Sequence, residues 1–142
     1  MSPAGIVLLA TLALIAVIDI RTYRIPDWLS LPLVAAGLLR AAVEGERPWS
    51  AYLIGAAAGY ASLALFGEIY FRARGREGLG LGDAKLFAAG GAWLGWQALP
   101  VLLAVSATAG LVFALVTRRR SAAAVAFGPW LAVGIWLCWL YR

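Results

Sequence analysis

The chain has 142 residues, of which 63% are hydrophobic and 13% charged, with a net charge of +5. Such a balance excludes a water-soluble domain with an ordinary polar surface and leaves an integral membrane protein. The absence of histidine and the single cysteine, Cys138, exclude a Ser-His-Asp triad, His-ligated zinc and an intrachain disulfide.

The first apolar run, Pro3–Asp19, has the length of a signal peptide but lacks a basic start and a small-residue cleavage pattern. Asp19 closes it, with Arg21 and Arg24 just beyond, so it reads as a retained first helix. Pro26 and Asp27 then introduce a second run, Trp28–Val43, which Asp27 would cap. The third, Ala51–Tyr70, contains the small-residue string Gly55–Gly59, and the fourth, Ala84–Gln97, contains Ala88–Ala92. Strings of this kind let helix backbones approach closely. Leu99–Val116 is the fifth run and Ala122–Tyr141 the sixth, where Gly128-Pro129 is expected to kink the helix.

Lipid offers the backbone no hydrogen-bond partners, and these runs show no alternation, so the predicted fold is all-α with about six transmembrane helices. Residues 1–142 are read as a single transmembrane domain. One set of loops holds Arg21, Arg24, Arg72, Arg74, Arg76, Lys85 and Arg118–Arg120, and the other only Arg40, Arg47 and Arg142. The positive-inside rule places the first set in the cytoplasm and both termini outside, in a multi-pass inner (plasma) membrane protein. Topology thus accounts for the basic clusters, and no nucleic-acid partner is expected. Trp49, Trp93 and Trp96 are expected in the outer interfacial belt.

Two of the seven acidic residues stand out. Asp19 ends the first run and Asp83 precedes the fourth in Gly80-Leu81-Gly82-Asp83-Ala84-Lys85, both at the cytoplasmic surface. If their carboxyls met, they could not both ionise, and the pair would offer a base for water and an acid for the scissile amide. Gly80 and Gly82 would let an extended substrate lie against Asp83. Read singly, Asp83 is as well suited to capping the helix that begins at Ala84, and Asp19 to pairing with Arg21 or Arg24.

Taken together, three strings resemble the prepilin peptidases, membrane aspartyl proteases with a GxGD motif. They are Asp19 through Leu33 with Pro26-Asp27 and Leu31-Pro32, Glu77 through Leu86 continuing to Trp96, and Phe127-Gly128-Pro129. The resemblance covers nearly the whole chain and implies that Asp19 and Asp83 are the catalytic pair, with Gly80, Gly82, Lys85 and Pro26 as motif residues. It implies cleavage of type IV prepilin-like or type II secretion pseudopilin precursors at the cytoplasmic face, with Asp27, Glu68 and Glu77 as candidate leader contacts. Larger members carry a cysteine-containing cytoplasmic domain ahead of the first aspartate, and only eighteen residues precede Asp19 here. The expectation is a minimal peptidase core with no metal and no cofactor, surrounded by lipid and open to homodimer formation. The competing reading is a small transporter or proton-conducting protein that relays protons through the same two aspartates.

Overall fold

The computed structural model describes residues 2–22, 25–44, 47–75, 81–117 and 128–141. Among the described residues six α-helices follow in chain order: α1 Pro3–Thr22, α2 Asp27–Glu44, α3 Trp49–Arg74, α4 Leu81–Leu94, α5 Leu99–Thr117 and α6 Gly128–Leu140. A single 3-10 turn, Trp96–Ala98, joins α4 to α5, and no strand occurs among the described residues. Each of the six expected apolar runs therefore carries one helix.

Three segments are long and apolar enough to cross a membrane: Pro3–Thr22, Trp49–Ala73 and Trp96–Val116. The described part of α6 is a shorter apolar helix. Helix α2 reaches 18 residues but includes Asp27, Arg40 and Glu44, and α4 has 14 residues. At 1.5 Å per residue α4 spans about 21 Å, less than the hydrocarbon thickness.

Helix α4 is the centre of the bundle, and its small residues explain why. A Cβ on Gly55 would come within 2.5 Å of the Gly91 carbonyl oxygen, and one on Gly59 within 2.9 Å of that of Phe87. The two small-residue strings thus meet each other, and α3 and α4 run antiparallel with backbones nearly touching. On its other side α4 lies parallel to α2, with the Trp93 indole donating to the Leu33 carbonyl at 2.8 Å and packing on Gly37. Helix α6 also runs parallel to α4: Gly90 faces Ile135, and the rings of Trp93 and Trp139 meet edge to face at 5.5 Å. Helix α5 packs antiparallel on α6 through Ser106 against Gly134 and Phe113 against Trp130.

Two expectations change here. Trp93 is fully enclosed by α2 and α6 rather than lying in an interfacial belt, because its side chain points inward from the central helix. Trp49 and Trp96 are exposed, as that belt requires. Arg40, placed in a loop by its charge, is helical, and its guanidinium sits 4.4 Å from the Trp139 ring centroid. Cation–π contact and the nearby Glu44 carboxylate, 3.9 Å from Arg40 Nε, make that burial tolerable. Gly128 and Pro129, where the kink was expected, are the first two residues of α6, and residues 118–127 before them lie outside the described residues.

Chain breaks are set by glycine where the backbone turns left-handed. Gly75, at φ 70°, closes α3 by donating to the Phe71 carbonyl at 2.8 Å. Gly95, at φ 89°, separates α4 from the 3-10 turn, and Arg47 Nη1 donates to the freed Leu94 carbonyl at 3.0 Å.

Candidate active site

The alternation of helices brings the end of α1 and the starts of α2, α4 and α6 to one end of the bundle. Asp19 sits in the last turn of α1 with only 4% of its surface exposed. Such a carboxyl is costly to bury without partners. Its Oδ2 has no hydrogen-bond partner among the described residues, while the backbone amide of Gly128, at the start of α6, faces the carboxyl. A Cβ at residue 128 would collide with Asp19 Oδ2. Only glycine there lets α6 come this close.

Asp83 lies within the first described turn of α4, so it is a helical residue and not the cap of a helix beginning at Ala84. It stands ahead of the apolar run. Burial, seconded by the negative charge of Asp19, pushes the Asp83 carboxyl up to about 7. The two aspartates, 64 positions apart in sequence, are therefore electrostatic neighbours. Whichever of them loses its proton first makes the other harder to ionise.

Ile25, two residues ahead of α2, locks this arrangement. It is buried, and a Cβ on Gly82 would lie 3.2 Å from its Cβ, while one on Gly128 would lie 3.0 Å from its Cδ1. Gly82 thus serves close approach as its residue type suggested, but the neighbour is Ile25 of the same chain. It is helical, in the first described turn of α4. Gly80 and Glu77 lie outside the described residues.

The remaining residues singled out in the sequence divide. Pro26 opens α2, its carbonyl accepting from the amides of Leu29 and Ser30 at 3.1 Å. Asp27 is helical, and its Oδ1 lies 2.9 Å from Lys85 Nζ on α4, so both are already engaged. Glu68 is exposed on α3 and paired with Arg72 one turn on, at 3.0 Å. Ile25 and the Asp27–Lys85 contact went unnoticed in the sequence. An isolated isoleucine between Arg24 and Pro26 is a weak sign of burial, and nothing local links residues 58 positions apart. Ser30, fully buried with no partner for its hydroxyl among the described residues, gave no signal either. No cluster of three or more metal-ligating side chains occurs among the described residues.

Fold and site together define an all-α membrane protein with two interacting carboxyls at one end of its bundle. The model of the type IV leader peptidase family matches residues 6–115. The prepilin leader peptidase/N-methyltransferase of Pectobacterium carotovorum subsp. carotovorum is 47% identical over 134 residues, covering 92% of this chain and 48% of the relative. The proteins of the same name from Neisseria gonorrhoeae and Escherichia coli (strain K12) are 44% and 43% identical, over 94% and 84% of this chain and 46% and 55% of theirs. The chain thus spans about half the length of these curated relatives. No solved structure matches it significantly. The chain belongs to the type IV leader peptidase family.

Proposed function

We propose that this protein is a membrane-embedded aspartic endopeptidase that removes the leader peptide from type IV prepilin-like or type II secretion pseudopilin precursors. The observation that carries the reading is that the nearly buried Asp19, against Gly128, and Asp83, beside Gly82, meet around Ile25 at one end of the bundle. A pair sharing one negative charge holds a base and an acid side by side at neutral pH. The ionised carboxylate takes a proton from water as the water oxygen attacks the scissile carbonyl. The protonated carboxyl donates to the developing oxyanion, and the tetrahedral species then collapses with proton delivery to the leaving amine.

Asp83, pushed up to about 7, is read as the acid of the pair, and Asp19 beside it as the base. The site faces the cytoplasm of an inner (plasma) membrane in this reading, because the basic residues Arg21, Arg72 and Lys85 cluster at its end of the bundle. Family membership and the names of the relatives support the substrate class. The test is cleavage of a pilin-like precursor by the purified protein in detergent, comparing the natural chain with Asp19→Asn and Asp83→Asn. Only the natural chain should shorten the precursor at the leader boundary. Cleavage by either variant at the natural rate would remove that aspartate from the chemistry.

A further inference from the structure

The peptidase reading gives no task to Lys85, although it stands two residues beyond Asp83 and reaches away from it. Its ammonium lies 2.9 Å from Asp27 Oδ1, in a pair whose side chains are 23% and 58% exposed. The contact spans two helices rather than one helix turn. Asp27 is the first residue of α2, and Ile25, two residues before it, packs on Gly82 beside Asp83. The first turn of α4 is therefore gripped at two points. Ile25 and Gly82 make an apolar contact, and Asp27 and Lys85, two and three residues further along their segments, an ionic one.

We propose that the Lys85–Asp27 ion pair is a positioning latch: it holds Ile25 and the start of α2 against the first turn of α4 and so sets the approach of the Asp19 carboxyl to that of Asp83. The inference rests on the peptidase reading for its consequence in catalysis, but the latch itself is a statement about geometry. An exposed pair contributes little to overall stability. Its effect is local, because Asp27 lies two residues after Ile25 and eight after Asp19. Loss of the pair lets the start of α2 and Ile25 lift from α4, and small displacements of a reacting group cost rate rather than substrate binding.

The test has two readouts on the full chain. The first is the rate of disulfide formation between Ile25→Cys and Gly82→Cys in a Cys138→Ser background. The Cβ position at residue 82 lies 3.2 Å from the Ile25 Cβ, close to the spacing of about 3.5–4.5 Å that a disulfide uses. Adding Lys85→Gln or Asp27→Asn should slow cross-linking at least about threefold, and Lys85→Arg should restore it. The second is precursor cleavage by the chain without these cysteines. Each single latch variant should lower kcat about three- to tenfold with KM within about twofold. The double variant should be no worse than either single one, and Lys85→Arg should recover most of the rate. Glu44→Gln, which removes a pair at the opposite end of the bundle, should change neither readout.

Unchanged cross-linking would overturn the latch whatever the enzyme does. So would additive losses in the double variant, or a rise in KM alone, which would make Asp27 or Lys85 a leader contact. Cross-linking that responds in a chain whose natural form cuts no precursor would leave the latch standing and sink the peptidase reading.

Discussion

Asp83 carries opposite consequences for activity and for stability. Its pKa, raised to about 7 by burial and by Asp19, means that the fold binds this proton more tightly than the unfolded chain does. Stability from this group is greatest below the ordinary carboxylate value of 3.8 and falls as pH rises toward about 7. Asp83→Asn removes the group and with it the fall, so its melting temperature in detergent should exceed that of the natural chain, by a margin that widens from pH 4 to pH 7. The same variant should lose cleavage by about 10²- to 10⁴-fold, the usual contribution of a positioned acid or base. In the natural chain cleavage should decline as pH rises through about 7, where the acid of the pair gives up its proton. A profile that kept rising to pH 9 would deny Asp83 that role. Gly128 belongs to the same scale. Gly128→Ala drives a methyl group into the Asp19 carboxyl and should impair cleavage far more than any surface alanine substitution, which a cleavage assay on accumulated protein would read.

At the scale of elements, the α3–α4 seam and the α2–α4 seam are held by different means. The first depends on backbone contact, since a Cβ on Gly91 would overlap the Gly55 carbonyl. Gly91→Ala should therefore cost about 1–3 kcal/mol of stability by forcing the helices apart, measurable as a lower melting temperature. The second depends on one buried hydrogen bond and on ring packing. Trp93→Phe keeps most of the ring but leaves the Leu33 carbonyl without its indole donor. A loss of about 1–3 kcal/mol is expected, the cost of an unsatisfied buried acceptor. Neither change touches the aspartates, so cleavage by the surviving folded fraction should keep its pH profile.

For the whole molecule, helix alternation separates two ends of distinct chemistry. Asp19, Arg21, Asp27, Asp83 and Lys85 share one end, whereas Glu44, Arg47, Trp49 and Trp96 share the other. With Cys138→Ser as background, Arg21→Cys and Glu44→Cys should react with a membrane-impermeant thiol reagent from opposite faces of sealed vesicles. Labelling of both from one face would contradict the arrangement on which the cytoplasmic placement of the site depends.

The number and position of the helices were legible in the sequence, because burial in lipid requires long apolar runs and leaves no other secondary structure with its backbone satisfied. The small-residue strings likewise announced close helix contacts, and the two unusual aspartates were identifiable by their position at the ends of apolar runs. What the linear order could not express is which helix ends converge. That Ile25 fills the gap between Gly82 and Gly128, that Lys85 is taken by Asp27, and that Trp93 turns inward on Leu33 are outcomes of packing the other helices around α4. Periodicity and charge fix where each helix lies along the chain, but contacts between residues some 60 positions apart arise only when close packing selects one arrangement of the bundle.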